Sequence, residues 1–176
     1  AERVPCDLPE IVYGVARSFG LRTGEPPWVM VVDYALDAPK CFLGDPLRIR
    51  QVLLNLVGNA AKFTPSGHIR IRIQGLPESG RVRIEVEDTG IGVAEDQHER
   101  IFQRFTQADA STTRRYGGAG LGLSISRELV RSMGGEIGVV SSLGHGSVFW
   151  FELPAEGSQG PIHTHIPRDS AYVVLV

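Results

Sequence analysis

The chain has 176 residues, of which 42% are hydrophobic, and a formal net charge of −2. This length predicts one domain, or one domain and a fragment of another, and the near-neutral charge gives no indication of nucleic acid as a partner. Cys6 and Cys41 have no metal-ligand spacing and are too few for a secreted disulfide framework, so a cytoplasmic location is expected. No signal peptide or membrane-length apolar run is visible, so no direct membrane contact is expected, although the parent protein could be membrane-anchored.

The first 44 residues predict one helix and two strands. Apolar residues recur at helical spacing over residues 7–20, where Asp7 can cap the helix and Pro9 lies in its first turn. Two β-rich runs follow, at residues 28–33 and 40–43.

Residues 45–64, DPLRIRQVLLNLVGNAAKFT, predict the central helix. Asp45 and Pro46 indicate its start. Six apolar residues form one stripe: Ile49, Val52, Leu53, Leu56, Val57 and Ala60. Four polar residues form a second line beside it: Gln51, Asn55, Asn59 and Lys62. Asparagine is a poor helix former. The polar line is therefore either a solvated face or a row of amides and one ammonium that faces a ligand.

The remaining pattern alternates hairpins with helices. Residues 69–73 and 82–88 predict an antiparallel hairpin, residues 94–102 a short helix and residues 121–133 a longer one, while residues 103–117 are polar and aperiodic. Residues 136–140 and 147–153 predict two more strands around the turn at 144–146. We therefore expect an α+β sandwich, in which helices cover one face of a mixed, mostly antiparallel sheet.

Two glycine clusters lie at element boundaries. Asp88-x-Gly90-x-Gly92 follows a predicted strand, and Gly118-x-Gly120-x-Gly122 opens a predicted helix. A glycine run at a helix start exposes backbone N–H groups that suit phosphate, although each cluster alone would also fit a flexible turn. Neither cluster matches the P-loop or dinucleotide-binding pattern, and the protein-kinase motifs are absent from the sequence.

Taken together, the amide helix, the first glycine cluster, residues 102–105 and the second glycine cluster resemble the N, G1, F and G2 boxes of sensor histidine kinases. These boxes belong to the catalytic ATP-binding domain, whose superfamily includes gyrase B, Hsp90 and MutL. The resemblance covers roughly residues 7–154 and includes a closing strand at Gly144-x-Gly146-Ser147-x-Phe149. It implies a Bergerat-type fold that holds ATP between the amide helix and a mobile lid at residues 103–117.

The resemblance also implies residue roles. Asp88 would accept a hydrogen bond from the adenine amino group and discriminate against guanine, with Gly90 and Gly92 packed near the base. Asn59 would bind Mg²⁺ through its side-chain oxygen, and Asn55 would lie near the metal or the γ-phosphate. The remaining implied nucleotide contacts are Lys62, Phe63, Arg114 or Arg115, Gly118, Gly120, Leu121, Gly122, Leu123 and Ser147. Of all these residues, Asn55, Asn59 and Lys62 are the candidate catalytic ones.

The implied function is transfer of the γ-phosphoryl group of Mg-ATP to a histidine in two-component signalling. Neither His68 nor any other histidine here has the phosphoacceptor context, so the acceptor would lie on a separate dimerisation domain, with a receiver domain as a further partner and a homodimeric parent. Ala119 stands where the family often has threonine, which predicts altered lid contacts. An ATP-hydrolysing relative and a non-catalytic nucleotide-sensing module remain as alternatives.

Asn55 bears on the first alternative, because the ATP-hydrolysing relatives carry a glutamate there as a general base for water. An amide cannot accept water's proton near neutral pH, so kinase activity with very slow hydrolysis is expected.

The C-terminal residues predict a domain boundary. Residues 1–156 would form the catalytic domain, and residues 157–170, rich in Gly, Pro, Ser and His, would form a linker. Residues 171–176 are apolar and β-branched, so they would either begin a receiver-like domain, as in hybrid kinases, or pair with this domain's own sheet.

Overall fold

The computed structural model describes residues 2–20, 27–104, 121–157 and 172–175, which form eight strands and three α-helices. The strands are β1 (Val4–Asp7), β2 (Trp28–Tyr34), β3 (Cys41–Gly44), β4 (Gly67–Leu76), β5 (Arg81–Asp88), β6 (Glu136–Ser141), β7 (Ser147–Pro154) and β8 (Tyr172–Leu175). The helices are α1 (Leu8–Gly20), α2 (Pro46–Phe63) and α3 (Gly122–Ser132). No helix in these ranges is both long and apolar enough to cross a membrane.

The main sheet has the strand order β6-β7-β5-β4-β2-β8. Strands β2 and β4 run parallel, and every other neighbouring pair in this sheet is antiparallel. The predicted hairpin is confirmed, because β4 and β5 pair antiparallel from Ile69 opposite Asp88 to Leu76 opposite Arg81. The mixed, mostly antiparallel α+β sandwich predicted from the sequence is therefore the observed fold.

The two faces of the sheet differ in chemistry. Alternate residues of β4, β5 and β7 are buried under the helices. Two of these, Asp88 and Ser147, are polar, and the others are apolar: Ile69, Ile71, Ile73, Val82, Ile84, Val86, Phe149, Phe151 and Leu153. The intervening residues carry ion pairs, among them Arg72 with Asp33 at 3.2 Å and Arg83 with Glu152 at 2.8 Å. The period of two in the sequence thus separates an apolar inner face from a charged outer face.

Helix α2 lies against this inner face and has the predicted start. The Asp45 carboxylate accepts a hydrogen bond from the Arg48 backbone N–H at 3.1 Å, and Pro46 is the first helical residue. All six residues of the predicted apolar stripe are buried, none more than 3% exposed. Burial of each of the larger apolar side chains stabilises the fold by about 1.5–3 kcal/mol. An asparagine inside a helix costs at most roughly 0.7 kcal/mol of helix stability, so the buried stripe outweighs the two asparagines.

Two features of the fold differ from the sequence-based expectation. Residues 94–102 form two short 3-10 helices, Glu95–Gln97 and Arg100–Phe102, instead of one helix. Only Ile101 and Phe102 of these two turns reach the core, so the segment lacks the apolar stripe that would hold a longer helix. Strand β1, which the pattern did not predict, pairs antiparallel with β3 in a separate two-stranded sheet.

The C-terminal strand β8 pairs antiparallel with β2, with Met30 opposite Leu175 and Asp33 opposite Tyr172. This pairing corresponds to the second of the two arrangements considered for the tail. The predicted linker at 157–170 and most of the predicted lid at 103–117 lie outside the described residues, so the division of the chain into domains stays a prediction.

Candidate functional site

The site is built where the C-terminal half of α2, the end of β5 and the start of α3 meet. Helix α2 carries the row of amides, and three of its four members, Asn55, Asn59 and Lys62, are half-buried while Gln51 is exposed. This gradient shows that the row is not a uniformly solvated face. Its C-terminal part lies in a partly enclosed region beside the sheet, where side chains can contact a ligand.

Asn55 is held by the first two turns of α3. Its Nδ2 atom donates a hydrogen bond to the Ser126 hydroxyl at 2.8 Å, across 71 residues of sequence. Gly122 lies against the same side chain: a Cβ atom at Gly122 would lie 2.2 Å from Asn55 Oδ1, so any other residue there would force the Asn55 side chain to move. The last glycine of the second cluster therefore allows α3 to approach the amide row closely.

Ser126 is a residue that the sequence-based prediction missed. The hydroxyl-bearing residues Ser124 and Ser126 follow the glycine cluster in the helix and are both buried. The sequence does show small polar residues on the buried side of this amphipathic helix, which could have indicated a polar contact. The local pattern does not show which residue of α2 they contact.

Asp88 closes β5 and is the central acidic group of the site. It is 6% exposed, and its Oδ1 atom accepts a hydrogen bond from the Gly90 backbone N–H at 2.8 Å. Burial raises the pKa of the Asp88 carboxyl above its ordinary value, while hydrogen bonds from the Gly90 and Ser147 backbones partly offset that effect. The result is a desolvated carboxyl group that is fixed in direction by two backbone donors.

The first glycine cluster packs closely against both the end of α2 and the Asp88 carboxylate. A Cβ atom at Gly90 would lie 2.3 Å from the Phe63 carbonyl oxygen and 2.8 Å from Asp88 Oδ1. The same Phe63 carbonyl accepts a hydrogen bond from the Ile91 backbone N–H at 3.3 Å. Gly92 follows in the left-handed region, at φ 69°. Gly90 thus packs against the peptide backbone at the end of α2.

The remaining predicted residues fall into two groups. Lys62 and Phe63 lie in the last turn of α2, with the Lys62 Nζ atom 4.9 Å from the centre of the Phe63 ring. The Ser147 hydroxyl lies 3.0 Å from the Ser141 hydroxyl, and Ser147 pairs with Asp88 across β5 and β7. Leu121 and Leu123 flank Gly122, half-buried at the start of α3. The second group, Arg114, Arg115, Gly118 and Gly120, lies outside the described residues.

The side-chain oxygen of Asn59 is the candidate ligand for Mg²⁺. Asn59 presents a half-buried amide whose carbonyl oxygen is a hard ligand, and it lies one helical turn after Asn55. The described part of the chain contains no cluster of three or more His, Cys, Asp or Glu side chains that would hold a metal by itself. One amide oxygen therefore fits a cation that keeps waters and phosphate oxygens as its other ligands.

Comparison with known proteins identifies the family. Residues 44–157 match the family described as "Histidine kinase-, DNA gyrase B-, and HSP90-like ATPase". The chain is 56% identical over 108 residues to the sensor histidine kinase AruS of Pseudomonas aeruginosa. The matched region covers 60% of this chain and 11% of AruS. It is 36% identical over 194 residues to the hybrid signal transduction histidine kinase K of Dictyostelium discoideum, covering 99% of this chain and 16% of that protein.

A solved structure agrees with these relatives. The crystal structure of full-length ShkA in complex with AMPPNP superposes with a TM-score of 0.78 at 39% identity, covering 89% of this chain and 32% of ShkA. This chain therefore spans less than a third of each of these three proteins. The four motifs, the fold and the matches agree: the chain belongs to the histidine kinase-, DNA gyrase B- and HSP90-like ATPase family, among the catalytic ATP-binding domains of sensor and hybrid histidine kinases.

Proposed function

We propose that this domain binds Mg-ATP and transfers its γ-phosphoryl group to a histidine on a separate dimerisation domain. The observation that carries the proposal is the Asn55 side chain, fixed by Ser126 and Gly122 at the position where ATP-hydrolysing relatives carry a general base. A neutral amide at that point can orient a phosphate oxygen or a water but cannot remove a proton from water.

Asp88 recognises adenine in this proposal. Its buried carboxyl group, fixed by the Gly90 N–H, accepts a hydrogen bond from the exocyclic amino group of the base. Guanine presents a carbonyl oxygen at the same position, so two acceptors would face each other in a desolvated site. Gly90 and Gly92 keep the loop after β5 close to the base, with Ser147 holding Asp88 from the neighbouring strand.

The phosphates extend along the second half of α2. Asn59 would hold Mg²⁺, which neutralises phosphate charge when bound, and Lys62 would add a positive charge on the next turn. Phe63 gives apolar contact at the end of the helix. The backbone N–H groups at Gly118, Gly120 and Leu121–Leu123 would bind phosphate oxygens, and Arg114 or Arg115 would reach the γ-phosphate.

The acceptor imidazole is itself a nucleophile, so the catalytic domain needs to orient the γ-phosphoryl group and needs no base for water. Asn55, Asn59 and Lys62 perform that orientation and charge compensation in the proposed mechanism. Because residue 55 carries no carboxylate, water is not activated, and the phosphoryl group is transferred to histidine instead of being hydrolysed.

The proposed partners follow from the fragment's place among longer proteins. The relatives are several times longer than this chain, and one of them is described as a hybrid kinase. We therefore assign residues 1–156 to the catalytic domain, and propose a dimerisation domain and a receiver domain as its partners in a dimeric parent.

The test of the function is a transfer assay. The domain is mixed with a histidine-bearing dimerisation domain and Mg-ATP labelled at the γ-phosphate. We expect acid-labile label on the second protein, and none when its acceptor histidine is replaced by glutamine. ATP turnover without acceptor at about 1 s⁻¹ or faster, a rate typical of ordinary enzymes, would contradict kinase function. Binding of ATP with neither transfer nor turnover would identify a nucleotide-sensing module.

A truncation tests the tail. If residues 171–176 belong to a following domain, removing residues 160–176 leaves the melting temperature unchanged. If β8 is a permanent part of this sheet, the truncation exposes the edge of β2 and lowers the melting temperature, since β8 pairs with four residues of β2. Thermal unfolding of the two lengths distinguishes these outcomes.

A further inference from the structure

Two buried serines of α3 differ in what their hydroxyl groups bind. Ser124 is 3% exposed, and its hydroxyl donates to the Leu121 carbonyl at 2.9 Å, next to its own helix. Ser126 is 1% exposed, and its hydroxyl accepts a hydrogen bond at 2.8 Å from Asn55 Nδ2, which belongs to α2. Ser124 therefore serves the local geometry of α3, whereas Ser126 connects α3 to the proposed site.

Apolar side chains hold α2 and α3 in the same core. Val130 of α3 and Leu53 and Leu56 of α2 are all 0% exposed and belong to one hydrophobic cluster. Hydrophobic burial is non-directional, so it brings the helices together without setting the direction of a polar side chain between them. A hydrogen bond is directional and weakens steeply when it bends. The bond to Ser126 is therefore the contact that sets the direction of the Asn55 side chain.

This bond leaves the oxygen end of the Asn55 amide at the start of α3. A Cβ atom at Gly122 would lie 2.2 Å from Oδ1 and 3.1 Å from Nδ2, so Oδ1 is the nearer of the two atoms. The last side-chain torsion of asparagine is broad and roughly two-fold, so it does not fix the amide by itself. Without the Ser126 hydroxyl, the Asn55 amide would be free to turn.

We propose that Ser126 is a positioning residue for phosphoryl transfer, whose hydroxyl holds the Asn55 amide with Oδ1 directed at the start of α3. There Oδ1 accepts a hydrogen bond from a water that lies between the amide and the phosphates. The inference rests on the proposed function and adds a residue that acts only through Asn55. Ser126 lies four residues after Gly122, so one helix carries both the proposed phosphate-binding backbone and the group that fixes the amide.

The test compares three variants in the transfer assay. Ser126→Ala removes the hydroxyl, and Ser126→Cys keeps a small side chain but offers only a weak acceptor. Both should lower the single-turnover rate of transfer about 3- to 10-fold, the value of one net hydrogen bond, while calorimetric Mg-ATP affinity stays within about twofold. Ser124→Ala is the matched control and should transfer within about twofold of the unmodified domain, because the Leu121 carbonyl keeps its bond from the Ile125 N–H at 3.0 Å.

The side-chain amide of Asn55 gives a readout that needs no catalysis. Its Nδ2 proton resonances are identified by their loss in Asn55→Ala and are followed in the nucleotide-free domain. Their exchange with water should be faster in Ser126→Ala and Ser126→Cys than in the unmodified domain, because the hydrogen bond that protects them is lost or weakened. Ser124→Ala should leave the exchange unchanged.

Each result decides one point. Unchanged amide exchange in Ser126→Ala would show that this bond does not hold Asn55 and overturns the inference. Faster exchange with an unchanged transfer rate overturns the positioning role and leaves kinase function intact. Normal transfer by Ser126→Cys, or an equal loss in Ser124→Ala, assigns the effect to packing of α3 and also overturns it. If the unmodified domain binds Mg-ATP but transfers nothing, the proposed function fails and the inference fails with it.

Discussion

The two ends of the candidate site are built by different means. At the Asp88 end, backbone groups fix the geometry: the Gly90 N–H holds the carboxylate, and the Phe63 carbonyl holds the loop through the Ile91 N–H. At the Asn55 end, the contacts are between side chains, from Asn55 to Ser126, with Gly122 leaving the space for them. The backbone thus sets the geometry of the proposed adenine end, whereas side chains set the chemistry of the proposed phosphate end.

In the proposed site, this difference would let one fold serve both kinases and ATP-hydrolysing relatives. A change of side chain at residue 55 would alter the available chemistry without altering the path of β5 or its loop. A change at Gly90 would alter the backbone of the proposed base-recognition end, and a change at Asp88 would alter its hydrogen-bond acceptor. Substitutions at the two ends should therefore differ in kind.

The largest effect is expected at the phosphate end. In the proposed site, Asn55→Glu would place a general base beside the phosphates, and general-base assistance is typically worth ~10²–10⁴-fold. We expect acceptor-free ATP hydrolysis to rise by about 10²-fold, the lower end of that range, since a longer side chain is crowded by Gly122. Steady-state phosphate release measures it.

Asn55→Gln is the matched control, because glutamine has the same length as glutamate but carries a neutral amide that cannot act as a general base. Equal hydrolysis by the Glu and Gln variants would show that crowding, not proton transfer, changes the rate.

At the adenine end, Asp88→Asn should weaken ATP binding by about 10- to 150-fold, equivalent to roughly 1.5–3 kcal/mol for a buried charged acceptor. Glu87→Gln is the control: Glu87 is the neighbouring residue on the outer face and pairs with Arg70 at 3.2 Å. Calorimetric titration of both variants should show a change only for Asp88. Normal ATP affinity in Asp88→Asn would remove the adenine assignment.

Gly90→Ala tests whether the backbone really fixes the adenine end. The new methyl group would lie 2.3 Å from the Phe63 carbonyl oxygen, so the loop has to move. Overpacking of this kind costs about 1–3 kcal/mol, and we expect both the melting temperature and ATP affinity to fall. Gly20→Ala is the control, since a Cβ there meets nothing within 4 Å. Equal stability of the two variants in thermal unfolding would contradict the tight fit.

The smallest expected effect is a pH dependence at Asp88. Burial raises its pKa in the folded state above the ordinary 3.8. Between 3.8 and the raised value the native state binds more protons than the unfolded state, so stability contributed by this group falls as pH rises. In the proposed site, ATP binding needs the ionised carboxylate, so ATP affinity should fall as pH falls through the raised pKa of Asp88.

Asp88→Asn removes both dependences. We expect the nucleotide-free variant to be at least as stable as the unmodified domain at neutral pH, which thermal unfolding at several pH values measures. A marked loss of stability at neutral pH would show that the carboxylate contributes to the fold itself.

Most helices and strands of this protein could be predicted from its sequence, because the period of apolar residues indicates which side of each element is buried. The stripe from Ile49 to Ala60, the Asp45 cap and the hairpin of β4 and β5 follow from that periodicity and are all observed. The two 3-10 turns and strand β1 were not predicted, because short elements carry too few residues for a period to appear.

The sequence by itself determined the fold class, the family and the chemical types of the site residues, since these depend on pattern and motif order. Only the tertiary structure decided which groups meet: Ser126 with Asn55 across 71 residues, and the Phe63 carbonyl with Gly90. Such contacts join residues distant in the chain, and no local period encodes them. They depend on how α2, α3 and the end of β5 pack against one another.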